Sequence, residues 1–476
     1  MTPSPAPETA PARPQASVAA TLLVAGTFFM ENLDATVITP ALPHMAASFS
    51  VAPIDLNVGV SAYMLALGVF IPISGWMADR FGARRIFAAA IVVFTLASLL
   101  CGLAGTLWEF VAMRVLQGMG GAMMVPVGRL VILRLTPKEK LITAIAVLTW
   151  PALVAPVLGP PLGGFIAEHF DWRWIFYLNL PLGALAFVMA LVLIPHGRGD
   201  KVQAFDWPGF VLVGGALFCL LWATEALGQP VVDWLHTAAF TAIGVVALAL
   251  GVRHLRRTAA PMIQLGALGI PSFGVTFWGG SLFRMGVSAV PFLLPLMFQL
   301  GFGFDAFHAG LMLMAVFAGN LAMKPLTTGI LRRFGFRPVL LANGTLNVLS
   351  IAACAGFGPH MPLALICLVL FIGGMTRSMQ FTALNTIAFA DVPPAQMNGA
   401  NTLFSTAFQL AMGLGIALGA ISLRLGDKLA SAAGYPPVDA FRFAFLAVAV
   451  VSLFSLWDCL RLAPGTGNHL ARPARR

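Results

Sequence analysis

Long apolar stretches recur along the whole chain, and short polar segments separate them. Each stretch has about 20 residues or more, which is the length that an α-helix needs to cross ~30 Å of hydrocarbon. The pattern predicts fourteen spans, at 18–43, 57–77, 86–105, 108–132, 141–166, 174–195, 207–225, 236–254, 271–298, 306–330, 338–358, 362–388, 398–423 and 441–462. We therefore predict an all-α integral membrane protein with 14 transmembrane helices.

The composition supports a lipid environment. Of the 476 residues, 59% are hydrophobic and only 10% are charged, whereas soluble domains have about 25% charged residues. This excludes a disordered chain, a coiled coil and an ordinary soluble enzyme. The five cysteines lie in apolar stretches without a CxxC spacing, so they are expected to be buried apolar side chains, with no disulfide framework, metal site or cofactor.

The net charge of +10 is distributed unevenly between the predicted loops. Nineteen Lys and Arg residues fall on the side of the N-terminus, and only Arg173, Arg424, Lys428 and Arg442 fall in loops on the other side. Such an asymmetry places both termini in the cytoplasm and makes a nucleic-acid partner unnecessary. Residues 1–17 are rich in Pro and Ala, which predicts a disordered cytoplasmic tail and not a signal peptide, and 464–476 form a basic cytoplasmic tail.

The chain contains an internal repeat. GWMADRFGARR after the second stretch and TTGILRRFGFRP after the tenth align at Phe81-Gly82 and Phe334-Gly335, with an offset of 253 residues. The same offset carries the Gly/Pro cluster at 159–164 onto the glycines near 413–419. We predict two pseudo-symmetric six-helix bundles, 18–195 and 271–463, with an inserted helix pair and linkers at 196–270. Duplicated helical halves are typical of secondary transporters.

Two carboxylates lie at membrane depth in the first span. Glu31 and Asp34 are three residues apart and so share a helix face, and an acid at this depth is costly without a function. Counting from the outer ends at 1.5 Å per residue, Asp34 is ~13 Å deep and Arg114 ~9 Å deep, so the two can meet. Burial disfavours the ionised carboxylate and Arg114 favours it, so a movement that changes either effect changes proton occupancy. We predict that Asp34, Glu31 and Arg114 couple transport to protons; the alternative is a static ion pair that fixes helix packing.

Four stretches resemble signatures of the major facilitator superfamily and its fourteen-span drug:proton antiporter branch. They are Gly75–Arg85 (GWMADRFGARR), Arg114–Ala122 (RVLQGMGGA), Gly159–Gly164 (GPPLGG), and Leu33–Val37 (LDATV) taken with WRWIF and NLPLG at 172–183. The resemblance covers nearly the whole chain. Ala155 departs from the antiporter motif, and Arg332 replaces the second-half counterpart of Asp79, so the two inner gates are expected to differ.

The resemblance assigns roles to two of these motifs. It implies an inner gate formed by Gly75, Asp79, Arg80, Gly82 and Arg84, in which Asp79 accepts hydrogen bonds from a helix N-terminus of the other half. The alternative is that the arginines only obey the positive-inside rule. It also implies that the span 5 motif seals the transport path or packs helices closely. The key members of this motif are Gly159, Pro160, Gly163 and Gly164.

The second half has membrane-depth cations without matching acids. Arg284 and Arg377 lie in mid-span and need a cavity, carbonyl groups or an anion, whereas Lys324 is close enough to an inner end to snorkel. We predict a substrate-binding set of Gln117, Arg284, Arg377 and Gln380. The alternative for Gln380 and its polar neighbours is hydrogen bonding between helices.

The combined prediction is a monomeric secondary transporter of a bacterial plasma membrane that exports small organic molecules in exchange for protons. An uptake symporter for organic anions or metabolites is the alternative. A channel or receptor would lack the 253-residue repeat, and no nucleophile with a base or phosphate loop suggests a membrane enzyme. Because cations outnumber acids at depth, anionic or zwitterionic amphiphiles are expected to be accepted at least as well as cations.

Overall fold

The computed structural model describes residues 17–51, 53–195, 204–229, 231–304, 306–434, 436, 438–467 and 470, so most of the two predicted tails lies outside it. No strand occurs in this part of the chain. Its α-helices are α1 Val18–Val37, α2 Leu42–Phe49, α3 Asn57–Phe70, α4 Ile73–Phe81, α5 Ala83–Leu103, α6 Leu107–Leu135, α7 Leu141–His169, α8 Trp174–Tyr177, α9 Asn179–Leu193, α10 Trp207–Gly228, α11 Trp234–Arg257, α12 Pro271–Leu296, α13 Ala306–Phe334, α14 Phe336–Cys354, α15 Leu363–Ile387, α16 Met397–Ala433 and α17 Val438–Leu460.

Twelve helical segments of the described residues are long and apolar enough to cross a membrane, and a bent pair brings the number to thirteen. The stretch predicted at 338–358 forms α14, which has 19 residues and is not among them. Arg337, Asn343 and Asn347 interrupt the apolar sequence of this helix. All fourteen predicted stretches are helical, but the count of fourteen spans is not confirmed.

The bent pair is the stretch predicted as one span at 57–77. Val58–Phe70 and Ile73–Phe81 are inclined by 58°, and Pro72 occupies the N-cap of α4. Proline has no N–H and its ring clashes with the carbonyl four residues earlier, so a continuous helix cannot pass through this point undistorted. The bend directs α4 and its polar C-terminal residues away from the axis of α3.

The 253-residue repeat is visible in the helix boundaries. α5 follows Gly82 with φ of 89°, and α14 follows Gly335 with φ of 80°. Both backbones are in a region that favours glycine, which explains why a glycine stands at each turn. The first residues of α1 and α12 are also 253 positions apart.

Helix packing repeats in the same way. α1 packs on α7, α3 on α6, α5 on α6 and α5 on α9, and the corresponding pairs are α12 on α16, α13 on α15, α14 on α15 and α14 on α17. Across the middle, α7 contacts α13, while α16 contacts α3, α4 and α6. The first-half and second-half helices thus face each other through equivalent elements.

The additional helices α10 and α11 pack on each other, and α10 also contacts α3 and α16. Asp206 caps α10 through Gly209 N (2.9 Å) and accepts from Met262 N (3.2 Å) and from His254 Nε2 (2.7 Å). Burial alone raises the pKa of this carboxyl group, but the hydrogen bonds from Gly209, His254 and Met262 outweigh burial and hold the pKa below its usual value. One ionised side chain therefore ties the start of α10 to the end of α11 and to the following linker.

Candidate transport site and gate

The side chains of Asp34 and Arg114 meet inside the first half. Nη1 of Arg114 donates to Oδ2 of Asp34 at 2.7 Å, and both side chains are completely buried. α1 and α6 bring the two side chains together, as the sequence predicted. A charged pair without solvent is strongly attractive, but removing either partner leaves an uncompensated buried charge.

Two amides complete the contacts of the carboxylate. Gln117 Nε2 and Asn179 Nδ2 both donate to Oδ1 of Asp34 at 2.8 Å. Gln117 also accepts from Arg114 at 2.6 Å, and both amides donate to Ser98 Oγ, at 2.7 and 3.2 Å. Helices α1, α5, α6 and α9 therefore contribute to one hydrogen-bonded network around a single acid.

An aromatic ring closes this network. The guanidinium carbon of Arg114 lies 4.3 Å from the centre of the Tyr63 ring, which α3 contributes. A cation over an aromatic face is stabilised by the ring quadrupole, particularly where water is absent. Arg114 Nε and Nη2 have no hydrogen-bond partner among the described residues. Among the described residues, Asp34 is the acid with which Arg114 forms its ion pair.

The span 5 motif packs directly against α1 beside this network. A Cβ added to Gly159 would lie 2.8 Å from Cβ of Thr36, and one added to Gly163 would lie 2.9 Å from the carbonyl carbon of Val37. At Gly164 the nearest atom would be 3.9 Å away, and Pro160 is exposed. Gly159 and Gly163 thus allow α7 to pack closely against α1, at positions within three residues of Asp34.

The gate motif contacts the other half, but not through its acid. Asp79 pairs with Arg134 of α6 at 3.0 Å, within the same half. The contact between halves is made by Asn398 of α16, whose Nδ2 donates to the carbonyl oxygen of Gly75 at 2.7 Å. In this conformation Oδ1 of Asp79 accepts from Arg134, and no described residue of the other half donates a hydrogen bond to Asp79, so its contact with a helix N-terminus of the other half stays a prediction.

The remaining gate residues shape the turn and its surroundings. Gly82 provides the positive φ that ends α4 and starts α5. The guanidinium of Arg80 lies 5.4 Å from the Trp76 ring and 5.7 Å from the Phe81 ring. Arg84 donates to the carbonyl oxygen of Leu191. Both arginines thus make specific contacts in addition to following the charge asymmetry.

Further contacts join the halves at the same end of the bundle. Asn401 Nδ2 donates to the carbonyl oxygen of Pro126 at 2.9 Å, and Lys138 Nζ donates to the carbonyl oxygen of Ala390 at 2.8 Å. Together with the Gly75 contact, they close this end of the interface between halves.

Arg284 lies at the interface between the halves. It is 1% exposed, and its guanidinium is 4.7 Å from the Phe404 ring and 5.3 Å from the Phe408 ring. Nη2 donates to Asn385 Oδ1 at 3.3 Å and Nη1 to the carbonyl oxygen of Thr276 at 3.2 Å, while Nε has no partner among the described residues. These neutral neighbours leave its charge uncompensated.

Arg129 is the charged residue that our sequence reasoning missed. Its guanidinium lies 5.0 Å from the same Phe404 ring, and Nη1 donates to Ser405 at 3.5 Å. Its charge repels that of Arg284 and attracts that of Glu31. It lies six residues before the end of α6, inside the stretch predicted as a span at 108–132, and a charge in such a stretch is the signal that could have identified it.

Glu31 does not belong to the Asp34 hydrogen-bond network. Its Oε2 is buried without a hydrogen-bond partner in the described part of the chain, and a Cβ at Gly121 would lie 3.4 Å from this atom. Arg284 stands 253 residues after Glu31, so equivalent positions of the two halves carry opposite charges.

Arg377 and Arg284 do not share one site. Arg377 lines a cavity of about 30 Å³ within the second half, together with Asn347 and Ser350. The other lining residues are mainly aliphatic, among them Val287, Val316 and Leu370. Lys324 is 7% exposed and donates to Thr149 and Thr382 at 2.8 and 2.9 Å, so the expected snorkelling is wrong.

The two glutamines predicted to bind substrate are engaged in protein contacts. Gln117 belongs to the Asp34 network described above. Gln380 accepts from Asn343 at 2.9 Å and donates to the carbonyl oxygen of Leu340 at 3.1 Å, which joins α15 to α14. In this conformation Gln380 therefore has the alternative role, which is hydrogen bonding between helices. Asn179 and Ser98 were also missed, since amide and hydroxyl groups carry no charge signal in an apolar sequence.

The comparisons with known proteins agree with this architecture. Segments 24–415 and 276–476 match the family profile of the Major Facilitator Superfamily. The chain is 36% identical over 430 residues to the putative multidrug resistance protein MdtD of Pectobacterium carotovorum subsp. carotovorum (strain PC1), covering 90% of this chain and 92% of that protein. It is 35% identical over 458 residues to the putative multidrug resistance protein MdtD of Escherichia coli (strain K12), covering 95% and 96%.

Solved structures show the same fold at low sequence identity. The proton:xylose symporter XylE bound to 6-bromo-6-deoxy-D-glucose is 16% identical with a TM-score of 0.63, covering 95% of this chain and 97% of that one. The human organic anion transporter MFSD10 is 14% identical with a TM-score of 0.65, covering 93% and 98%. With a family profile matched from residue 24 to residue 476 and relatives matched along almost their full length, this chain belongs to the Major Facilitator Superfamily.

Proposed function

We propose that this protein is a proton-driven antiporter that exports small organic amphiphiles. The observation that carries the proposal is the buried network in which Asp34 contacts Arg114, Gln117 and Asn179. Membership of a transporter family and the multidrug resistance names of its relatives support the substrate class.

Asp34 is the proton carrier in this proposal. When it is ionised, the carboxylate holds α1, α6 and α9 together through its three donors. When it is protonated, the attraction to Arg114 is lost and one oxygen becomes a donor, so the same contacts cannot all be kept. Gly159 and Gly163 hold α7 against the adjacent turn of α1, which transmits the change to the interface with α13.

The proposed architecture is a monomer with fourteen membrane-spanning helices and both termini in the cytoplasm of a bacterial cell. Halves 18–195 and 271–463 rock about the central interface, with 196–270 as the inserted pair and linkers. In this orientation the contacts of Gly75, Asn401 and Lys138 lie on the cytoplasmic side, and the conformation described above is closed toward the cytoplasm.

The charges at the interface favour an anionic or zwitterionic substrate. Arg129 and Arg284 approach one aromatic ring, and the charge of Glu31 acts on Arg129. An uncompensated cation at mid-bilayer costs at least ~2.5 kcal/mol. A substrate carboxylate that bound between the guanidinium groups would offset this cost, and guanidinium forks bind carboxylates well.

The test is transport into inverted vesicles that contain the purified protein, across a panel of lipophilic cations, neutral compounds and aromatic carboxylates. We expect accumulation only when the vesicle interior is acidic, and none with the Asp34→Asn variant. Accumulation that requires the opposite proton gradient would show an uptake symporter. Accumulation that is indifferent to any proton gradient would disprove proton coupling.

A further inference from the structure

A second cavity lies outside the interface between the halves. It has a volume of about 590 Å³ and is lined by α3, α6 and the inserted helix α10. Its walls are mainly aliphatic and aromatic, and several wall residues are exposed on the lipid-facing surface, among them Val58, Val115 and Phe218. The cavity therefore opens sideways, toward the bilayer, and is separate from the Asp34 network.

The polar groups of this cavity are concentrated at one end. Glu225 lies three residues before the end of α10, and Gln229 caps that helix. The carboxylate of Glu225 accepts a hydrogen bond from the hydroxyl group of Ser61. Phe218 lies seven residues earlier, ~10 Å farther into the membrane at 1.5 Å per residue. The cavity thus has an acidic mouth near the membrane surface and an apolar interior.

The carboxylate of Glu225 has no cationic partner among the residues that the structure describes. Glu225 lies in the last turn of α10. A carboxylate beside hydrocarbon is costly unless it is compensated. Trp222 also lines the cavity, one turn deeper, and an indole ring attracts cations. Both side chains fit a ligand with a positive group at the mouth.

A guanidinium group lies at the same end of α10. Arg424 of α16 donates to the carbonyl oxygens of Leu227, at 3.3 Å, and of Gln229. Only one of its terminal nitrogens is used in these bonds, so the guanidinium has donors left for an anion. Glu225 therefore lies in the cavity wall, and the guanidinium of Arg424 lies beside Gln229, which also lines the cavity.

We propose that this cavity binds a phosphatidylethanolamine molecule from the surrounding leaflet. The ammonium group pairs with Glu225, the phosphate pairs with Arg424, and one acyl chain occupies the apolar cavity along α3 and α10. A zwitterionic head group satisfies both side chains at once, and an acyl chain matches an opening toward lipid. Such a lipid would join the inserted helices to the first half. This inference requires only that the protein is embedded in a bilayer, and it is independent of the direction or coupling of transport.

The experiment uses purified protein in nanodiscs of equimolar phosphatidylethanolamine and phosphatidylcholine, followed by native mass spectrometry of the retained lipids. We expect the protein to retain phosphatidylethanolamine up to about fivefold over phosphatidylcholine, the range of a partly exposed ion pair. Choline has no N–H donor for the carboxylate, so it is the matched lipid control.

The variants separate the site from general lipid binding. Glu225→Gln keeps the side-chain shape and is expected to remove the preference, while Asp427→Asn, an exposed acid at the same end of α16, is expected to keep it. Size-exclusion chromatography of each variant verifies that it remains folded. Equal retention of the two lipids by the wild-type protein, or an unchanged preference in Glu225→Gln, would overturn the proposal. If tetraphenylphosphonium binds with dependence on Glu225 and phosphatidylethanolamine does not, the site takes organic cations and the lipid assignment is wrong.

Discussion

Arg129 and Arg284 approach the same aromatic ring from opposite halves of the protein. Their guanidinium carbons lie 5.0 and 4.7 Å from the centre of the Phe404 ring. Each cation is attracted by the ring, but the two charges repel each other. The closed interface is therefore held against electrostatic repulsion, and a bound anion or the charge of Glu31 reduces that repulsion.

The first prediction concerns substrate charge. Arg284→Ala is expected to reduce the transport of an aromatic carboxylate by tenfold or more, the ~1.5–3 kcal/mol of a hydrogen bond to a charged group, and to reduce transport of the matching neutral amide much less. Initial rates for the two compounds in vesicles provide the measurement. Equal losses for both compounds would show that Arg284 serves packing alone.

The second prediction concerns Asp34. Asp34→Asn is expected to abolish uphill export and to keep downhill exchange, because the amide oxygen still accepts from Arg114 and carries no titratable proton. The uncompensated charge of Arg114 lowers stability, so size-exclusion chromatography verifies that the variant is folded. Substrate accumulation against its gradient is measured beside exchange at equal pH. Asp171→Asn, at an exposed acid, is the control and should transport normally. Normal accumulation by Asp34→Asn would mean that another group carries the proton.

The third prediction concerns the contact between α7 and α1. Gly163→Ala places a Cβ against the Val37 carbonyl and is expected to destabilise the protein by about 1–3 kcal/mol, as overpacked sites do, and to slow transport. Gly164→Ala, one residue later, meets no atom closer than 3.9 Å and should behave as wild type. Thermal unfolding in detergent and transport rates test both variants. Identical behaviour of the two variants would contradict the close-packing role.

The fourth prediction concerns the closed end of the bundle. Asn398→Ala removes a donor to Gly75 worth about 1 kcal/mol, which corresponds to about a fivefold shift toward the open state. A cysteine placed at Ser405 should then react faster with a maleimide. Asn347→Ala, whose bond to Thr376 lies within the second half, is the control. An unchanged reaction rate in Asn398→Ala would show that this bond does not hold the gate.

The fifth prediction concerns membrane orientation. Single cysteines at Lys140 and Asp55 are expected to react with membrane-impermeant reagents from opposite sides, Lys140 from the cytoplasm. The measurement compares intact cells with inverted vesicles. Reaction of both positions from one side would exclude the proposed topology.

Much of the fold was predictable because its determinants are local. An apolar stretch of about 20 residues indicates a helix wherever it lies, and the glycines at 82 and 335 mark turns by their backbone requirements. The backbone requirements of proline also indicate a bend at Pro72, although the apolar pattern predicted one span at 57–77. Helix α14 shows the limit of hydropathy, because its Asn343 and Asn347 each donate a hydrogen bond to Thr376 of α15.

The site was only partly predictable because its contacts join distant parts of the chain. Charge and depth were sufficient to place Asp34 near Arg114, since buried charges need partners. They did not reveal Asn179, a neutral side chain 145 residues away from Asp34. Charge and depth also placed Arg377 and Arg284 in one predicted site. In the structure, Arg284 lies against the Phe404 ring, whereas Arg377 lines a small cavity within the second half.

The opposite charges at Glu31 and Arg284 have a consequence for how a molecule can sit in the centre. Two identical halves would present the same charge from both sides, and a zwitterion could bind equally well in either of two orientations. A negative group in the first half and a positive group at the equivalent position of the second remove that equivalence. The two orientations of a zwitterion in the interface therefore differ in binding energy. The duplicated scaffold can favour the orientation in which the positive group of the zwitterion faces Glu31 and its negative group faces Arg284.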